Sequence, residues 1–195
     1  MDIQKIRNDF PMLNNKTMQG HELVYFDSAA TSLKPKCVID AMDDYYFNYN
    51  SNVHRGDYDL AAKTDNIYES ARETIAKFIN ASTKEVVFTS GTTQSINLIA
   101  FGYALNNLNE NDEIILNIAE HASNILPWYE IANKKNLKIV FAPLDEDGKV
   151  TLNAIKSVTT PNTKLISIAY VSNVLGQENE VKEIIQYAHQ NNILV

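Results

Sequence analysis

The sequence predicts an α/β fold: a mainly parallel sheet with flanking helices, preceded by a helical N-terminal segment. Two observations carry this. From Val86 onward, short β-branched runs alternate with segments of helical apolar spacing, which is the pattern of successive βα units. Within "VVFTSGTTQSINLIA" (86–100) the change is visible at one junction. Before Ser90 the chain is β-branched and aromatic, and after Thr93 its apolar residues Ile96, Leu98, Ile99 and Ala100 fall at helix-like spacing.

The elements follow in order. Ile3, Ile6 and Phe10 mark a short amphipathic helix that Pro11 stops, with a polar turn running to Gly20. "LVYFD" reads as a strand and "SAATSLKP" as a small-residue loop. Pro35 opens a helix through about Tyr49, because proline suits a first turn. The polar loop "NSNVHRGDYD" precedes a long helix from about Leu60 to Asn80. Then come strand Val86–Thr89, helix Thr93–Leu105, strand Glu113–Asn117, helix Ser123–Lys135 and strand Lys138–Ala142. After a "DEDG" turn, the pattern predicts helix Leu152–Val158, strand Lys164–Tyr170, helix Val181–Gln190 and strand Ile193–Val195. The expected organisation is an N-terminal segment over 1–22 and a large α/β domain over 23–195, incomplete because the chain stops in what reads as a buried strand.

Composition narrows the function classes. The 195 residues are 45% hydrophobic and 21% charged, as in an ordinary globular protein. A net charge of −7 leaves no basic stripe for nucleic-acid phosphates. No stretch approaches the roughly 18 apolar residues of a membrane span, and "MDIQKIRNDFPML" lacks the apolar core of a signal peptide. The single cysteine, Cys37, forms no intrachain disulfide, and such usage suits a reducing cytoplasm. Its place early in the Pro35 helix reads as a small buried hydrophobe.

Ser90-Gly91-Thr92-Thr93 is the first candidate site. A helix start offers unpaired N–H groups and partial positive charge, Gly91 permits close approach, and the hydroxyls of Thr92 and Thr93 can donate to phosphate oxygens. Alternatively a threonine merely caps the helix. His121 and Asn173 follow two other expected strands, and His54 and Arg55 lie in the polar loop. Each alone is more often a capping or surface residue. Positions 90–93, 121 and 173 nevertheless share the carboxyl edge of one expected sheet, where open α/β proteins bind ligands.

Five ordered blocks resemble the class V aminotransferase family of pyridoxal-phosphate enzymes, and within it the SufS/Csd-type cysteine desulfurases. They are "YFDSAATSLKP", "NVHRG", "FTSGTTQSINLIA", "EHASNILPW" and "VSNVLG". The resemblance implies pyridoxal 5′-phosphate as cofactor, its phosphate held by Thr92 and Thr93. It implies that His121 stacks on the cofactor ring and helps move protons, and that Asn173 bonds the phenolic oxygen. Ala29, Ala30, His54 and Arg55 would line the substrate side. The implied reaction takes sulfur from L-cysteine, giving alanine and an enzyme persulfide, with a homodimer and a sulfur-acceptor protein as partners. The sequence departs from the pattern at Ala122, where this branch carries a second histidine, and in lacking a proline after "NVLG". The family's pyridine-nitrogen aspartate, Schiff-base lysine and nucleophilic cysteine have no counterpart in these residues, so the resemblance implies an inactive N-terminal fragment. A selenocysteine lyase, another class V enzyme, or a non-catalytic α/β binding module are the alternatives.

Overall fold

Asp2 starts the first helix, α1 (Ile3–Asn8), by accepting the Lys5 N–H at 3.1 Å. Pro11 then opens a separate 3-10 turn, Pro11–Asn14. The computed structural model describes residues 2–17 and 19–195. Met1 and Met18, within the segment expected over 1–22, lie outside the described residues. Contacts divide the chain into two compact units, Met1–Phe88 and Thr89–Val195.

In the first unit, helices α2 (Lys36–Asn48) and α3 (Asp59–Phe78) form as the sequence predicts. The loop joining them turns on a polar knot. Thr64 donates to the Tyr49 carbonyl at 3.0 Å, and its hydroxyl meets that of Ser51 at 2.7 Å. Cys37 is exposed on α2, against the buried reading. "LVYFD" and Val86–Thr89 form no strand, because a strand needs a ladder partner and none pairs with them among the described residues. Side chains supply bonds instead: Tyr25 donates to the Thr31 carbonyl at 2.5 Å, and Arg72 donates to the Val86 carbonyl.

A 3-10 turn, Thr83–Glu85, closes this unit. The Glu85 carboxylate accepts the Ser82 N–H at 2.8 Å and the Ser82 hydroxyl at 2.7 Å. Those bonds, the backbone one first, hold its carboxyl below the usual range. The stability they contribute is present above the ordinary carboxylate range and is lost as pH falls through the lowered value. An acid titration by NMR should give Glu85 a midpoint below those of the exposed carboxylates, and Ser82→Ala should raise it part of the way.

The second unit begins with α4 (Thr92–Asn97), which continues without a break through a π-helical stretch, Leu98–Ala104, into α5 (Leu105–Asn107). Next come β1 (Glu113–Asn117), α6 (Leu126–Lys135), β2 (Lys138–Ala142), α7 (Leu152–Val158), β3 (Thr163–Ile166) and α8 (Val181–Gln190). The sheet is parallel, in the order β2-β1-β3. All of β1 is buried, so its apolar run is continuous rather than alternating. Alternation acts between the faces instead. Ile114 and Leu116 join Ala100, Ala104, Trp128 and Ile131 on one side, while Ile115 joins Ile155, Ile166, Ile184 and Ala188 on the other.

β3 ends earlier than the expected Tyr170. The Ser167 N–H still donates to the Ile115 carbonyl at 2.9 Å, but the next groups meet side chains. The Ala169 N–H goes to Glu120 at 2.8 Å and its carbonyl to the Asn179 amide at 2.8 Å. The expected strand Ile193–Val195 is reduced to one parallel bridge, Leu165 to Leu194. Among the described residues no helix is long and apolar enough to cross a membrane.

Candidate functional site

The carboxyl ends of β1 and β3 each lead into a turn rich in polar side chains, and the start of α4 joins one of them. Gly91 precedes α4 with φ 154° and ψ 177°, a region open essentially to glycine alone. Among the described residues no side chain caps this helix start. The Ser90 N–H and hydroxyl are instead both taken by Gln94 Oε1, at 2.7 and 2.9 Å. That leaves the first-turn N–H groups of an exposed helix end as donors.

Thr93 links this end to the turn after β1, donating to the Ser123 hydroxyl at 2.9 Å. The Ser123 N–H in turn donates to His121 Nδ1 at 3.1 Å, so His121 caps the 3-10 turn Ala122–Asn124. With Nδ1 an acceptor, the neutral ring carries its proton on Nε2. Thr93, Ser123 and His121 are thus one hydrogen-bonded set, although 30 residues separate Thr93 from Ser123.

Glu120, just before the histidine, is buried. It accepts from the side-chain amides of Asn117 and Asn124, the latter at 2.8 Å, and from the Ala169 N–H at 2.8 Å. Asn124 Oδ1 accepts from Trp128 Nε1 at 3.1 Å and from the Ser167 hydroxyl at 2.5 Å. These side chains tie the turn after β1 to the end of β3. Neither Ser123 nor Glu120 stands out in the sequence as a site residue. The signal available was polar residues 117, 120 and 124 leading to Trp128 at three- and four-residue steps within an apolar stretch.

Asn173 sits exposed in the loop beyond β3. Ser172 shapes that loop, its N–H bonding the Gln177 carbonyl at 3.0 Å and its hydroxyl accepting the Leu175 N–H at 3.1 Å. At the loop's base Tyr170 donates to Glu178 at 2.6 Å. This bond, then the charge of the same carboxylate, pushes the phenol above its usual range and keeps it a donor.

The other four residues belong to the first unit. Ala29 and Ala30 lie exposed in a turn in which the Ala30 N–H bonds the Asp27 carbonyl at 3.1 Å. His54 adopts a left-handed backbone, φ 57°. Two α3 carboxylates hold it: its N–H donates to Asp65 at 2.6 Å, and its Nε2 lies 3.1 Å from Glu69. Arg55 is exposed beside it.

The second unit is therefore a parallel α/β sheet whose carboxyl edge sets a histidine beside an uncapped helix start. Residues 24–195 match the family model of class V aminotransferases, and the chain belongs to that family. It is similar to a probable cysteine desulfurase of Halalkalibacterium halodurans, 45% identical over 196 residues, covering 100% of this chain and 48% of the relative. Among solved structures, the apo cysteine desulfurase of Thermococcus onnurineus NA1 superposes with a TM-score of 0.88 at 37% identity, over 97% of this chain and 45% of that one. The cysteine desulfurase CsdA of Escherichia coli gives 0.85 at 34% identity, over 100% of this chain and 48% of that one. The chain spans about half the length of the curated relatives it matches.

Proposed function

We propose that this chain forms one side of the pyridoxal 5′-phosphate pocket of a cysteine desulfurase. Such an enzyme takes sulfur from L-cysteine, leaves alanine, and passes the sulfur as an enzyme persulfide to iron–sulfur cluster or other sulfur-transfer assembly. In this reading residues 23–195 are part of the cofactor-binding large domain, after an N-terminal segment over 1–22. A homodimer and a sulfur-acceptor protein are its proposed partners. The observation that carries the proposal is the hydrogen-bonded set of Thr93, Ser123 and His121 at an uncapped helix start.

The donor set suits a phosphate. Thr92 offers a hydroxyl beside free first-turn N–H groups, Thr93 offers a second once its proton turns from Ser123 to the phosphate, and the space where a Cβ would stand on Gly91 is open, with nothing within 4 Å among the described residues. When bound, the cofactor supplies a ring that withdraws electrons from the substrate. The chain's own residues position it and move protons. His121 would cover the ring, its tautomer set by the Ser123 N–H so that Nε2 carries the hydrogen. Asn173 would bond the phenolic oxygen, and the family resemblance assigns Ala29, Ala30, His54 and Arg55 of the first unit to the substrate side.

Two substitutions separate these roles. Thr93→Ala removes a hydroxyl donor to a charged group and should weaken pyridoxal phosphate binding about tenfold or more. His121→Ala should slow sulfide release far more than it lowers cofactor occupancy. Occupancy is read from the cofactor's visible absorbance, and turnover from sulfide and alanine. Unchanged occupancy in Thr93→Ala would overturn the phosphate assignment.

A further inference from the structure

A buried carboxylate without a cation needs donors for its lone pairs. Glu120 is 8% exposed, and no ion pair involves it among the described residues. Its donors are of a kind that cannot reverse. The Trp128 indole nitrogen only donates, so the Asn124 atom 3.1 Å from it must be the oxygen. Asn124 therefore turns its NH2 toward Glu120. Asn117 is fixed in the same way, because its Oδ1 accepts the Ala119 backbone N–H at 2.9 Å and its NH2 must also face Glu120. The Ala169 N–H completes three obligate donors.

We propose that Glu120 is a positioning residue for His121, acting through a one-way hydrogen-bond chain from Trp128 through Asn124 to Glu120. His121 lies inside the clasp this chain closes. Glu120 is tied to the ends of β1 and β3, its side chain binds Asn124, and the Asn124 N–H returns to the His121 carbonyl at 2.7 Å. The imidazole is then locked from within by the Ser123 N–H. The consequence for catalysis rests on the reading of His121 given above; the clasp itself does not.

The orientation logic supplies a test by exchange. Glu120→Gln keeps the oxygen that serves Asn117 and Ala169 but sets an NH2 against the Asn124 NH2. Asn124 cannot turn over without abandoning Trp128. Adding Asn124→Asp restores every pair: one oxygen of the new carboxylate accepts from the introduced side-chain amide, and the other from Trp128 and Ser167. Long-range proton–nitrogen NMR on the chain without cofactor reads the His121 tautomer, assigned among the four histidines with His121→Ala. The indole signal belongs to Trp128, the only tryptophan.

Glu120→Gln is expected to shift His121 from the Nε2–H form to a mixture and to move the indole N–H signal. E120Q/N124D is expected to return both toward the parent. Double-mutant coupling should be about tenfold in the unfolding constant. Should E120Q fail to fold, recovery of folded protein in the double variant supports the chain, and failure of both overturns it. An unchanged His121 tautomer in a folded E120Q, or a double variant no closer to the parent, also overturns it. If the parent binds no pyridoxal phosphate but these shifts and their rescue occur, the functional reading falls and the clasp stands.

Discussion

Replacing Trp128 with alanine is expected to destabilise the Thr89–Val195 unit by about 3–5 kcal/mol. The indole is 2% exposed and packs in the cluster of Ala100, Ala104, Leu108, Ile131 and Leu137. The small alanines of the neighbouring helix leave room for it, so its removal opens a void that they cannot fill. The substitution also deprives Asn124 Oδ1 of its indole donor. Trp128→Phe keeps most of the apolar contact and gives up one hydrogen bond, about 1 kcal/mol. Urea denaturation followed by far-UV circular dichroism checks the order. An alanine variant no less stable than the phenylalanine one would mean that the indole does not hold this core.

The second large effect is a loss of chemistry. The 195-residue chain is expected to release no sulfide from L-cysteine, whereas the complete desulfurase proposed above should do so. Sulfur transfer needs a thiolate beside the substrate, and the one cysteine here, Cys37, is on α2 of the first unit, outside every block that resembles the cofactor site. Lys138 and Lys164 stand at the starts of their strands, at the sheet edge opposite the turns of His121 and Asn173. Sulfide release by the purified chain at the rate of a complete enzyme would place the catalytic groups within these residues and end the present reading.

Much of the second unit was legible because its signals are local. The bounds of β1, β2, α7 and α8 follow from apolar periodicity and turn residues, and they fall where the sequence predicts. Strands whose existence depends on a neighbour were less so. Val86–Thr89 has a strand's composition, but β structure is a property of pairs, and composition does not say who the partner is. β3 stops short because Glu120, 49 residues away in the chain, and Asn179 take over the backbone groups of Ala169. The site divides the same way. Thr92, Thr93 and His121 stand out at element junctions, while Glu120 and Ser123 acquire meaning only through bonds to Ala169 and Thr93.

The π-helical stretch Leu98–Ala104 separates two jobs that a regular helix would force into one rotation. Each residue advances an α-helix by about 100°, so the side-chain directions at the two ends of a regular helix are rigidly geared together. Wider turns let that gearing slip. Thr93 at the start can face the turn of Ser123, while Ala100 and Ala104 further on are aimed at the sheet. Removing one residue between Leu98 and Ala104 would re-engage the gear: the packed end would keep its seat on the sheet, and Thr93 would swing away from Ser123.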